Sequence, residues 1–143
     1  MVRMIQPKDA ETVRRICEQS LGHVSSAERI LQRINELSGD SHYFIAVYEE
    51  EKTHRVSGFI QAEKYDLLYG DCGWNIIALA VSQEEKGRGI GRQLLASLEE
   101  KARREGKTFV RLNCNVIRES AHKFYEHMGY VCDKTQKRYI KKL

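Results

Sequence analysis

The sequence predicts a mixed α/β domain whose helices pack around a central sheet. Three observations carry that expectation. Apolar spacing gives the order strand, two helices, three strands, helix, strand, helix, then one or two strands. An apolar strand from Trp74 to Val81 runs directly into a glycine-rich turn and a long helix. The path from that strand through the helix to a strand at Phe109 has the form of a right-handed crossover.

The elements follow in order. Arg3 to Gln6 reads as a short strand, closed by Pro7, the only proline, with Asp9 as a helix N-cap. Val13, Ile16, Cys17 and Leu21 then fall at helical spacing. A Ser25-x-x-Glu28 capping box opens a second helix with the stripe Ala27, Ile30, Leu31, Ile34 and Leu37, ending near Gly39. Tyr43 to Tyr48 and Val56 to Ile60 are strands, and the charged stretch Glu49 to Arg55 joins them as a hairpin. Tyr65 to Gly73 reads as a polar, aromatic loop. The strand Trp74 to Val81 is apolar enough to be buried on both faces. The following helix carries Ile90, Leu94, Leu95, Leu98 and Ala102 on one face. Its outer face pairs Glu99 with Arg103 and Glu100 with Arg104, and Gly106 closes it. Phe109 to Cys114 is a strand. Ala121, Phe124, Tyr125 and Met128 mark a short helix stopped by Gly129, and Tyr130 to Asp133 with Arg138 to Lys141 suggest a closing hairpin.

A chain of 143 residues supports one core, so residues 1–143 are expected to form a single domain. Its 41% hydrophobic and 31% charged residues are ordinary for a globular protein. No apolar run is long enough to span a membrane, and Met1 to Ile5 lacks the features of a signal peptide. A cytoplasmic protein without membrane partners is the expectation. Cys17, Cys72, Cys114 and Cys132 are far apart and read as free thiols. The five histidines do not cluster with them, so no metal site is expected. The net charge of +4 is too mild to argue for nucleic acid. Lys137, Arg138, Lys141 and Lys142 read as a solvated C-terminal group. A modest positive field does suit an anionic ligand.

The strongest chemical signal is the turn Lys86-Gly87-Arg88-Gly89-Ile90-Gly91. Its glycines let the backbone turn sharply and approach a ligand closely. The helix starting near Ile90 offers free N–H groups and a partial positive charge, which makes a nest for a diphosphate. Lys86, Arg88 and Arg92 add charge around it. Two nucleotide motifs are excluded. A P-loop would need Lys and Ser or Thr where Arg92 and Gln93 stand. A dinucleotide fingerprint would need glycine at Arg92 or at Leu94.

Leu79-Ala80-Val81-Ser82 followed by Lys86 to Leu95 resembles the coenzyme A motif of the Gcn5-related N-acetyltransferase (GNAT) superfamily. That motif is Gln/Arg-x-x-Gly-x-Gly/Ala, and Lys86 departs from its first position while keeping the charge. Downstream, Ala121-His122-Lys123-Phe124-Tyr125-Glu126-His127-Met128-Gly129-Tyr130 is similar to the family's Ala-x-x-Phe-Tyr-x-x-x-Gly-Phe/Tyr segment. Two motifs in order are far more specific than either alone, and the element order fits over nearly the whole chain. The segment from Asn113, Cys114 and Asn115 to Tyr125 resembles small-molecule members more than histone-type ones. Where many members carry Asn before the alanine, this chain has Arg118.

The resemblance implies a central, mostly antiparallel sheet of six to seven strands flanked by about four helices. It implies acetyl-CoA as co-substrate and a small-molecule primary amine as acceptor, joined by direct attack in a ternary complex. Leu79, Ala80 and Val81 would hold the pantetheine arm through backbone pairing, with a backbone N–H facing the oxyanion. The loop from Lys86 to Gly91 would hold the pyrophosphate, with Arg92 and Lys123 near the nucleotide phosphates. Tyr125 would be the acid that protonates the leaving thiolate. No base is given, because Asn75 and Ile77 stand at the family's usual glutamate positions. A water chain ending at Glu63, Asp71 or His42 is the preferred substitute. The amine pocket is expected against the first two helices, with Tyr65, Tyr69 and Trp74 as lining candidates. Dimers are common in the family, so a homodimer is compatible with the resemblance. The other readings are a peptide or protein N-acetyltransferase, a non-catalytic acyl-CoA binding module and a basic nucleic-acid binder.

Overall fold

The computed structural model describes residues 1–143. Strands β1 (Val2–Met4), β2 (Tyr43–Glu49), β3 (Val56–Asp66), β4 (Cys72–Val81) and β5 (Phe109–Leu112) form one sheet in that order. The first three pairings are antiparallel, and β4 pairs β5 in parallel, as the crossover through a helix requires. The helices are α1 (Ala10–Ile16), α2 (Ala27–Leu37), α3 (Ile90–Arg104) and α4 (Glu119–His127). Backbone contacts group the chain into two units, Met1–Asn113 and Cys114–Leu143. None of the helices is long and apolar enough to cross a membrane.

The mixed, mostly antiparallel sheet agrees with the sequence, but it has five strands rather than six to seven. The expected closing hairpin is absent: residues 130–143 carry neither helix nor strand. Val131, Tyr139 and Ile140 are exposed and sit among five cationic side chains, too little apolar surface for a lone hairpin to hold in water. The expected loop from Tyr65 to Gly73 is shorter, because β3 continues to Asp66 and β4 begins at Cys72.

Two apolar layers flank the sheet. On one face Val13, Ile16 and Ile34 from α1 and α2 pack with Ile45, Val47, Phe59 and Ala80. On the other, Ile90, Leu94, Leu95, Leu98 and Ala102 of α3 are all buried, as their spacing predicts. Trp74 is fully buried there, with the Lys101 ammonium 5.6 Å from its ring centre. Gly58 on β3 permits this close seating. A Cβ at that position would lie 3.0 Å from the Ala80 carbonyl oxygen, 3.1 Å from Ile90 Cγ2 and 3.2 Å from Leu94 Cδ1.

The N-terminal corner is fastened by charge. Arg3 donates to both oxygens of Asp9, at 2.8 and 2.9 Å, and to Glu49 Oε2 at 2.6 Å. Asp9 is only 3% exposed and also accepts from the Gln6 N–H at 2.8 Å. It therefore caps the short turn Pro7–Asp9, not α1 as the sequence suggested. Ser26, one residue after the expected Ser25, caps α2 by accepting from the Arg29 N–H at 3.1 Å. Beyond α1 the chain makes one π-helical turn, Cys17–Leu21, which ends at Gly22 with φ of 71°. Ser20 Oγ in that turn donates to the Val81 carbonyl at 2.7 Å and anchors the end of β4.

The β3–β4 register contains a bulge. Gln61 pairs with Ala78 but Ala62 pairs with Ile76, so Ile77 is an extra residue on β4. Ile77 is 47% exposed, which corrects the expectation that this strand is buried on both faces. Pairing of β4 with β5 ends at Ile76↔Leu112. From Ile77 to Val81, β4 has β3 on one side and no strand of the sheet on the other.

A Gly58→Val substitution should destabilise the protein by about 1–3 kcal/mol, because the added branches have no room beneath α3. Urea denaturation of both proteins measures this.

Candidate functional site

The glycine loop joins the end of β4 to α3. Gly87 and Gly89 have φ of 81° and 76°, a left-handed conformation that costs other residues about 1–2 kcal/mol. A Cβ on either would meet nothing within 4 Å, so the space beside them is open. Gly89 is the N-cap of α3, no side chain caps the helix, and its first turn holds no acidic residue. The first-turn N–H groups of a helix normally need a partner. Here no side chain caps them, and they carry the positive end of the helix dipole, an arrangement that accepts an anion.

The loop's basic residues divide in two. Lys86 and Arg92 are exposed and form no ion pair. Arg88 is committed elsewhere: it pairs with Glu85, and its second nitrogen lies 3.5 Å from Glu50 Oε2. Glu85 is 7% exposed and also receives Arg55. Arg88 thus braces the loop against the β2–β3 hairpin and contributes little free charge. Sequence reading missed Glu85; the trace it left was an acidic pair, Glu84-Glu85, just before a basic loop.

The unpaired edge of β4 leads into this loop. The side chains of Leu79 and Val81 are half-buried and that of Ala80 is buried, so they serve the core while their backbone lies on the edge. The bulge at Ile77 starts the open segment.

Beside the bulge, three strands align a polar row. Glu63 on β3 is in register with Asn75 on β4, and Asn75 with Arg111 on β5. Asn75 Nδ2 donates to Glu63 Oε1 at 3.1 Å, and Arg111 donates to Asn75 Oδ1 at 2.6 Å. Arg111 also donates to Asn113 Oδ1 at 2.7 Å and lies 4.8 Å over the Tyr65 ring. His42 Nε2 stands 4.0 Å from Glu63 Oε2. Of the three expected proton acceptors, the fold gathers Glu63 and His42 and separates Asp71. That residue accepts from Thr108 Oγ1 at 3.0 Å, at the start of β4. Among the aromatic candidates only Tyr65 joins the row; Trp74 is buried under α3 and Tyr69 is 88% exposed. Arg111 was not singled out beforehand, although a cation between Val110 and Leu112 in a short strand was a visible signal.

Within Cys114–Leu143, α4 carries Lys123, which is exposed, and Tyr125, which is half-buried. The Tyr125 ring meets Phe124 and Tyr130 edge-on, with centroids 5.1 and 5.8 Å apart. Burial pushes its phenol up to about 12, the neighbouring Cys114 adds to this, and Arg118 opposes it. Arg118 occupies the α4 N-cap without a capping side-chain bond. The preceding turn is instead held by Asn115, which accepts from the Ile117 N–H at 3.2 Å.

Residues 10–130 match the model of the acetyltransferase (GNAT) family. An aminoalkylphosphonate N-acetyltransferase from Salmonella typhimurium is 34% identical over 96 residues, covering 67% of this chain and 60% of that protein. The chain spans about 60% of the length of the curated relatives it matches. Among solved structures, a transcriptional regulator from Bacillus halodurans superposes with a TM-score of 0.86 at 18% identity, covering 99% of both chains. Glucosamine-6-phosphate N-acetyltransferase from Arabidopsis thaliana superposes with a TM-score of 0.79 at 20% identity, covering 98% of this chain and 97% of that one. At these identities the superpositions establish the fold.

A raised phenol pKa means that the neutral form persists to higher pH. Tyrosinate absorbance of the protein and of a Tyr125→Phe variant should therefore coincide up to about pH 10, where an ordinary phenol is half ionised.

Proposed function

Because the chain belongs to the acetyltransferase (GNAT) family, we propose that it moves an acetyl group from acetyl-CoA to a primary amine of a small molecule. The observation that carries this reading is the continuity of an unpaired β4 edge with an uncapped, acid-free α3 N-terminus. One end suits the amides of a pantetheine arm, and the other suits a pyrophosphate. Lys86, Gly87, Arg88, Gly89, Ile90 and Gly91 form the phosphate nest, with Lys86 and Arg92 as its uncommitted cations and Arg88 as its brace. Lys123 is assigned to the nucleotide phosphates. Free thiols at all four cysteines suit a cytoplasmic setting.

The acceptor reaches the protein mostly as an ammonium ion and must lose a proton before it can attack. In our reading Glu63, with His42 beside it, takes that proton through water. Asn75 orients Glu63 through its amide. Backbone N–H groups on the open edge by the bulge hold the thioester carbonyl as negative charge develops on it. The new C–N bond forms and the C–S bond breaks, and the family resemblance assigns to the Tyr125 hydroxyl the proton that the sulfur takes. The elevated phenol pKa keeps that hydroxyl protonated wherever the amine is free to react. The relative's aminoalkylphosphonate substrate favours a small acceptor over a peptide. One observation favours a non-catalytic acyl-CoA binding module instead: Asn75 and Ile77 cannot accept a proton.

Incubation with acetyl-CoA and an amine panel, followed by free-thiol release, decides between the two. Turnover on at least one amine is expected. Stabilisation by CoA without turnover would favour the binding module, and no stabilisation at all would remove both readings. Tyr125→Phe should lower kcat by about 10²-fold, and an unchanged rate would strip that residue of its role. Glu63→Gln should lower kcat/KM at neutral pH and shift the profile towards alkaline pH, where free amine no longer needs a base.

A further inference from the structure

The proposed reaction leaves one charged group of the site unused. Arg111 stands in the middle of the polar row, half-buried, and no carboxylate lies within ion-pair distance of it. Its partners are neutral: the amide oxygens of Asn75 and Asn113, and the face of Tyr65. Hydrogen bonds to two amide oxygens and the Tyr65 ring hold the guanidinium in place, yet they use only part of its five N–H donors. The nearest acid in the row, Glu63, is held away because Asn75 stands between them and bonds to both. A half-buried cation without a counter-ion is costly to keep, whereas a held guanidinium fork matches a carboxylate or phosphate group.

We infer that Arg111 receives an anionic group on the acceptor, so that the substrate is a short amine bearing a carboxylate, phosphonate or phosphate a few carbons from its nitrogen. This rests on the acetyl-transfer reading and narrows its acceptor. The row supplies both ends that such a molecule requires. Glu63 on one side attracts the ammonium, and Arg111 on the other attracts the anion. Adjacent strands lie about 4.8 Å apart and alternate residues along a strand about 7 Å apart, so the distances from Arg111 to Asn75 and to the bulge fit a chain of a few carbons. A bulky polycation offers no anion at that spacing.

The test compares matched amines with acetyl-CoA: β-alanine with β-alaninamide, and O-phosphoethanolamine with 2-methoxyethylamine. The protein should prefer the anionic member of at least one pair by tenfold or more in kcat/KM, mainly through KM, and the favoured pair identifies the anion. In Arg111→Gln that ratio should fall at least tenfold, and Arg111→Lys should keep an intermediate ratio. A merely structural arginine would slow both members of a pair alike and leave the ratio unchanged, which would overturn the inference. So would a wild-type protein indifferent to the anion, or one that acetylates other amines of the panel but none of these four. Absence of turnover on every amine would instead overturn the acetyl-transfer reading on which the inference rests.

Discussion

At Ile76 the backbone of β4 is bonded to neighbours on both sides, and one residue later it is not. β5 contributes four paired residues and stops at Leu112, while β4 continues to Val81. The extra residue at Ile77 falls at this transition and re-sets the alternation of side chains beyond it. Before the bulge, Asn75 lines up with Glu63 and Arg111 to make the polar row. After it, Ala78 and Ala80 return to the core under α1 and α2, and the backbone faces outward on its free edge. The acceptor end and the acyl end of the proposed site are therefore two consequences of where one strand loses a partner.

The proposed cofactor end depends on how closely α3 can sit on the sheet. Gly58 removes the side chain that would hold Ile90 and Leu94 away, and those residues belong to the first turns of the helix. The same seating places the uncapped N-terminus of α3 at the end of β4. Glu85 then fixes the loop by holding Arg55 from the hairpin and Arg88 from the loop on one buried carboxylate. Removing a carboxylate between two cations is far more disruptive than its surface location in sequence would suggest, because both arginines would lose their shared partner.

Much of this was legible before any coordinates. The buried face of α3 was read correctly residue by residue, because five apolar positions at helical period leave one solution. Of the three glycines expected to turn the chain, those at 87 and 89 have left-handed backbone, whereas Gly91 lies inside α3. What stayed hidden depends on register. Glu63 and Asp71 were indistinguishable as acids near the ends of extended segments. Only strand pairing puts Glu63 beside Asn75 and sends Asp71 to Thr108. Arg88 looked like a phosphate ligand because its partners, Glu85 and Glu50, come from a turn and a hairpin with no local mark in sequence. The expected hairpin after Tyr130 is absent for another reason: its strand-forming residues Val131, Tyr139 and Ile140 are exposed in a stretch rich in cations, with too little apolar surface to hold a pair of strands.

The open edge of β4 has a consequence beyond chemistry. A row of unsatisfied backbone donors and acceptors is also a template on which another polypeptide can add a strand, the route by which sheet proteins aggregate. The exposure here is bounded. The bulge at Ile77 ends the row on one side, and Ser20 engages the Val81 carbonyl at the other. What remains between them is a few residues, shorter than the segments that normally propagate intermolecular sheets. The same two features that frame the proposed amide-binding edge thus restrain self-association.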